Sequence, residues 1–195
     1  RELGTWIGKN DHTLIYGGSK RGLMGELAES VLLAGGEVTG VEPRFFVDAG
    51  FVYDAITQLI VTEDMAQRKA KMIELGDAFI AFPGGTGTLE EIAEVMSKVS
   101  LGHLDAPCIL YNLNGYYDDL RALLNHMIET GLSSPEKQRL SLRTSISTES
   151  RSAAMLTSRM RTRQFTSRKS LPMLPLRLIK QMVLRIKKQR IQNPM

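Results

Sequence analysis

A single cysteine among 195 residues excludes an internal disulfide. Cys108 lies in the apolar stretch APCILYN, where a thiol serves as a small buried apolar group. No apolar run approaches the roughly 18 residues that cross a bilayer, and no secretory leader pattern opens the sequence. Both absences point to a cytoplasmic location. The three histidines, His12, His103 and His126, share no metal-ligand spacing with one another or with a carboxylate pair, so no metal is expected. Aromatic residues make up only 6% of the chain, too few for base-stacking platforms, and specific nucleic-acid reading is not expected. What is present is enough apolar material, 43%, for one good core and one domain.

The net charge of +4 hides a division along the chain. Residues 1–136 carry 10 Lys and Arg against 20 Asp and Glu, whereas residues 137–195 carry 15 against 1. The first part is acidic and patterned like a folded domain. The second is a Ser-, Arg- and Thr-rich basic tail without glycine, and it reads either as a frameshifted or recombined segment or as a genuine basic extension. Within it Leu176, Ile179, Val183 and Ile186 recur at helical spacing amid Arg177, Lys180, Arg185, Lys187 and Lys188. That basic amphipathic pattern suits an anionic membrane surface or a nucleic-acid backbone.

Over residues 1–136 short apolar runs alternate with helical periodicity. TLIY (13–16), EVTGV (37–41), TQLIVT (57–62), AFIAF (78–82) and CILYN (108–112) read as buried strands. Helices are expected from about Leu23 to Ala34, over Met65 to Leu75 with Asp64 as N-cap, over Thr88 to Leu101 and over Tyr116 to Glu129, with a loop over Pro43 to Ala55. Alternating strands and helices predict an α/β fold, a doubly wound Rossmann-like parallel sheet with helices on both faces. Ligands of such sheets bind at the carboxyl ends of strands.

The most informative stretch lies at one of those ends. PGGTGTLEE, Pro83 to Glu91, joins a buried strand to a helix through a turn with three glycines. Glycine lets the backbone approach a bound group, and the helix start offers free N–H groups and the positive end of a dipole. No Lys-Ser/Thr pair ends the turn, which excludes a Walker A site. No third glycine follows at the spacing of the dinucleotide fingerprint. A phosphate cradle remains, made of Gly84, Gly85, Gly87 and the Thr88 hydroxyl, with Glu91 placed in the first turn beside it. GGSKRGLMG (17–25) supplies a second wall through Gly18, Ser19 and Gly25. Glu91 either faces the ligand or closes a Thr88-x-x-Glu91 capping box. Arg68, in MAQRKAKM (65–72), either grips a phosphate in bidentate fashion or is an exposed helix arginine.

These three segments, in order and spacing, resemble the Lonely Guy family of cytokinin riboside 5′-monophosphate phosphoribohydrolases, whose members often carry the label lysine decarboxylase. PGGTGTLEE matches the family's PGGxGTxxE signature, GGSKRGLMG its first glycine-rich turn and MAQRKAKM its Met-x-x-Arg-Lys helix, over about residues 3–136. The resemblance implies hydrolysis of the N-glycosidic bond of a purine or cytokinin nucleoside 5′-monophosphate, either AMP or an N6-modified AMP, to free base and ribose 5-phosphate. It implies Arg68 and Glu91 as catalytic residues, Lys69 behind them, and a homodimer without a cofactor. Met24 and Met65 either contact the base or fill the core. A Schiff-base role for Lys69 would require pyridoxal phosphate and a desolvated amine, and no motif argues for either. The alternative is a non-catalytic carrier of a nucleotide or molybdenum cofactor, with a similar fold and glycine turn. Both ends depart from the family pattern. The chain begins inside what the family treats as its first helix, so the preceding strand and its glycine-serine turn are expected to be missing, which would expose a sheet edge. The strand and closing helix expected after Lys137 give way to the basic segment.

Overall fold

The structure, a computed structural model, describes residues 1–136 and the backbone of three strands beyond them, Thr144–Ser147, Leu176–Lys180 and Ile186–Lys187. The remainder of the basic segment 137–195, Val183 included, lies outside the described residues. In chain order the elements are α1 (Glu2–Lys9), β1 (Thr13–Tyr16), α2 (Gly22–Leu33), β2 (Glu37–Pro43), α3 (Arg44–Asp48), β3 (Gln58–Thr62), α4 (Met65–Leu75), β4 (Ala78–Ala81), α5 (Thr86–Ser100), β5 (Cys108–Asn112), a 3-10 turn (Leu113–Gly115), α6 (Asp118–Glu129), β6 (Thr144–Ser147), β7 (Leu176–Lys180) and β8 (Ile186–Lys187).

The strands form one sheet in the order β3-β2-β1-β7-β4-β5-β6, parallel throughout, with β8 antiparallel on β7. Alternation along the strands divides the core into two layers. Leu14 and Tyr16 of β1, with Val38 and Ile80, face Ile7 of α1 and Leu27, Ala28 and Val31 of α2. Ile15, Val41, Phe79, Ala81 and Leu110 face Met72 of α4 and Ile92, Val95 and Val99 of α5. The doubly wound α/β expectation therefore holds, with helices on both faces. Each fully buried aliphatic side chain contributes about 1.5–3 kcal/mol relative to leaving it in water.

Several local expectations change. The stretch read as a loop from Pro43 contains the short helix α3. Helix α5 begins at Thr86, two residues early, because Gly85, with extended φ −83° and ψ −161°, is its N-cap. Helix α6 begins at Asp118, after a 3-10 turn in which Asn114 takes φ 52°. No sheet edge is left at β1: β7 pairs with β1 on one side and β4 on the other. Leu176 and Ile179, which recur at helical spacing, lie on that strand, where ladder bonds to two neighbours override a periodicity that was apolar but never capped.

Candidate functional site

The topology fixes where chemistry can gather. From β1 the chain winds through β2 to β3 on one side; β4 and β5 lie on the other, and the order reverses between β1 and β4. At such a switch point the loops leaving the carboxyl ends part and open a crevice. The turns Gly17–Gly18 and Pro83–Thr88 leave those two strands. Gly18 sits at φ +81°, the left-handed region where glycine carries no steric penalty, and its carbonyl accepts the Tyr53 N–H at 2.9 Å. A Cβ on Gly18 would stand 2.4 Å from Cγ of Glu42, and one on Gly25 would stand 1.9 Å from the Lys20 carbonyl oxygen. Backbone and Glu42 thus meet at contact distance around the first turn. Ser19 Oγ accepts the Arg21 N–H at 3.1 Å and braces that turn from within.

The second turn is held by its carbonyls. The Tyr117 hydroxyl donates to Phe82 O and the Tyr116 hydroxyl to Gly84 O. Gly85 has no side chain to cap α5, and no side chain does so, which leaves the first-turn N–H groups directed out of the helix. Gly87 and Thr88 lie inside α5 rather than before it, and Thr88 is buried. Hence Thr88 is no N-cap and the Thr88–Glu91 capping box does not form. Glu91 stands in the second turn of the helix, not the first.

Glu91 is instead paired with Arg68. Both side chains are buried, at 7% and 0% exposure, and Arg68 Nη1 donates to Glu91 Oε1 at 3.0 Å. Asp64 caps α4 by accepting the Gln67 N–H at 2.7 Å, and this sets the phase that turns Arg68 inward, where Nε donates to Val41 O at 3.0 Å. The exposed-arginine alternative is therefore not what forms. A second carboxylate joins from β2: Glu42, at 3% side-chain exposure, holds Oε2 3.7 Å from Arg68 Nε. Glu42 escaped the sequence reading because Glu-Pro at a strand end has no signature. β2 carries two carboxylates, Glu37 at its half-buried start and Glu42 within its buried stretch, and the sequence alone does not tell them apart. Tyr116 and Tyr117 were also missed, since their contacts run 32 and 35 residues back along the chain.

Burial raises the Glu91 carboxyl above its ordinary value, and Arg68 opposes the rise. Burial likewise pushes Glu42 up to about 7, again against the Arg68 charge, with the neighbouring Glu91 adding to the rise. The Tyr16 hydroxyl, buried near Glu42, is also raised by desolvation. Tyr16 Oη, Glu42 Oε2 and Glu91 Oε2 are buried without a hydrogen-bond partner among the described residues. Orphaned polar atoms on this scale are costly and gather where a ligand or water completes them.

The remaining expected residues fall around this centre. Met65 Sδ lies 4.0 Å from Arg68 Nη1, at the site, whereas Met24 is half-buried against the α1–α2 layer and is not brought to Arg68. Lys69 turns away: its Nζ lies 2.6 Å from Glu90 and 3.4 Å from Glu94, and the Glu90 hydrogen bond raises its pKa. A Schiff-base lysine requires the reverse, a depressed pKa. Glu91 also lines a small cavity with Lys69, Met72, Phe79 and Val95. His126 sits at the end of α6 beside Glu129, His103 is exposed and the His12 ring lies tilted by 52° against Trp6, with centroids 5.0 Å apart. Among the described residues no three His, Cys, Asp or Glu side chains are grouped as metal ligands, and no helix is long and apolar enough to cross a membrane.

A family model described as "Possible lysine decarboxylase" matches residues 24–156. A cytokinin riboside 5′-monophosphate phosphoribohydrolase of Rhodococcoides fascians is 45% identical over 134 residues, 68% of this chain and 68% of that protein. The enzyme of the same name designated LOG1 in Arabidopsis thaliana is 40% identical over 134 residues, 69% of this chain and 63% of that protein. For LOG5 of the same plant the figures are 39% over 127 residues, 65% and 56%. The chain thus spans between 56% and 68% of the length of these relatives. Motif order, sheet topology and these similarities agree: the chain belongs to the Lonely Guy family, the one whose model carries the lysine decarboxylase description.

Proposed function

We propose that this protein hydrolyses the N-glycosidic bond of a nucleoside 5′-monophosphate, releasing free base and ribose 5-phosphate. The observation that carries the reading is the buried Arg68–Glu91 pair beside two glycine turns at the switch point of the sheet. The turns, through Gly18, Ser19, Gly84, Gly85, Gly87 and Thr88, take the 5′-phosphate on backbone N–H groups and the α5 dipole, while Gly25, whose N–H is spent on the Arg21 carbonyl at 3.4 Å, lets α2 pack close against the first turn. The base departs with the bonding pair and leaves positive charge on the ribose, which the Glu91 carboxylate stabilises; Glu91 accepts a proton from the attacking water, and the released base takes up that proton to leave neutral. Burial makes that carboxylate a stronger base, and Arg68 keeps it oriented. A carrier of nucleotide or molybdenum cofactor has no need of such a pair. The relatives' names support an adenine-type base with an N6 substituent.

A homodimer and a cytoplasmic location belong to the same reading. Leu89 of α5 and Leu123 of α6 are each about half exposed, at 48% and 51%, and in this reading a second subunit covers them. The single cysteine, buried and unpaired, fits a reducing compartment. The test of the phosphate cradle is a comparison of AMP with adenosine. If the turns hold the phosphate, kcat/KM for adenosine falls by roughly three orders of magnitude, since charge-assisted contacts worth several kcal/mol are lost. Equal values for the two substrates would remove the turns from the account.

A further inference from the structure

Glu42 has no place in the reaction just described, yet it is a carboxylate buried beside the groups that do. It lies at the carboxyl end of β2 with 2% exposure, and its Oε2 makes no hydrogen bond among the described residues. Its Cγ packs against Gly18 so closely that no Cβ would fit between them. Its carboxylate stands 3.7 Å from the guanidinium that also holds Glu91. One carboxylate is therefore in reach of two functional parts at once, the first glycine turn and Arg68.

We infer that Glu42 is a positioning residue whose proton is coupled to phosphate binding in the first glycine turn: protonated, it leaves the Arg68 charge to Glu91 and the substrate, and ionised, it draws on that charge and repels the phosphate. This rests on the phosphoribohydrolase reading for its ligand, and it adds a residue that the motifs do not contain. The charged and titratable groups facing Glu42 are Arg68 from α4, Glu91 from α5 and Tyr16 from β1. Arg68 favours the ionised form; desolvation and Glu91 favour the protonated one, and the balance leaves Glu42 at about 7. An incoming phosphate dianion adds a second negative neighbour, so binding pulls a proton onto Glu42.

The KM for AMP should then rise by about tenfold between pH 6.5 and pH 8.5, the scale of one like-charge contact in a partly buried site. In Glu42→Gln that rise should vanish, with KM at pH 8.5 close to its value at pH 6.5. The substrate phosphate's own second ionisation, near 6, acts in the opposite direction and is common to both proteins. A second measurement needs no variant. Calorimetric titration of ribose 5-phosphate, which keeps the phosphate and has no glycosidic bond left to hydrolyse, into the wild-type protein at pH 8, in two buffers of different ionisation heat, should show uptake of a fraction of a proton, because the free sugar phosphate is already a dianion there. No uptake, or a KM profile that Glu42→Gln leaves unaltered, overturns the inference. Base release at pH 6.5 reports on the hydrolase reading separately, so the two can fail independently.

Discussion

Glu91→Gln is expected to lower turnover by roughly 100-fold or more while AMP affinity stays within about threefold. The substitution is nearly isosteric, and a glutamine oxygen can still accept from Arg68 Nη1 as Glu91 Oε1 does at 3.0 Å. What it removes is the charge that answers the positive ribose and the site that accepts a proton from water. The fold should not suffer. Burial raises the Glu91 pKa, which means that ionising this group opposes folding, and a neutral amide escapes that cost. Steady-state kinetics with AMP, alongside equilibrium binding, separates the two effects. A variant with full activity would show that Glu91 only braces Arg68.

Arg68→Met carries the larger structural penalty. It removes the one cation within 4 Å of Glu42 and Glu91 among the described residues and leaves two buried carboxylates facing each other. Breaking a buried pair in this way costs about 3–5 kcal/mol, or roughly 10 °C in Tm for a domain of this size. Activity should fall below detection, since orientation of Glu91 and a donor to the substrate are lost together. The pH dependence follows from the signs. Both carboxyls have folded pKa values raised above their ordinary 4.5, with Glu42 at about 7. Between those values the folded state binds protons more tightly than the unfolded state, so stability is highest at low pH and declines as pH rises toward 7. Without Arg68 the folded pKa values climb further and the decline extends to higher pH. Thermal unfolding should therefore show a larger loss at pH 8 than at pH 6. An equal loss at both would mean that the carboxylates are not what Arg68 holds in check.

How much of this was legible beforehand depended on the range of the interaction. Strand-helix alternation, the glycine turns and the Met-x-x-Arg-Lys helix are local patterns, and the parallel sheet and its two-layer core followed from them. Pairing across the sheet was not legible. Whether Glu91 would cap its own helix or reach Arg68, 23 residues away, depended on where α5 starts, and a two-residue shift of that start decided it. Glu42 was hidden for a related reason: its role comes from contact with Gly18 and Arg68, residues on two other elements. The place of Leu176–Lys180 between β1 and β4 is the extreme case, since its apolar spacing fitted a helix and only the ladder to two distant strands made it a strand.

The central claim is that this site breaks a glycosidic bond. The direct measurement is chromatographic quantification of products from AMP and from N6-isopentenyladenosine 5′-monophosphate, with Glu91→Gln alongside. The account predicts free base and ribose 5-phosphate in equal amounts from the wild-type protein and almost none from the variant. Inorganic phosphate with intact nucleoside, or no base from a folded protein that binds AMP, would contradict it.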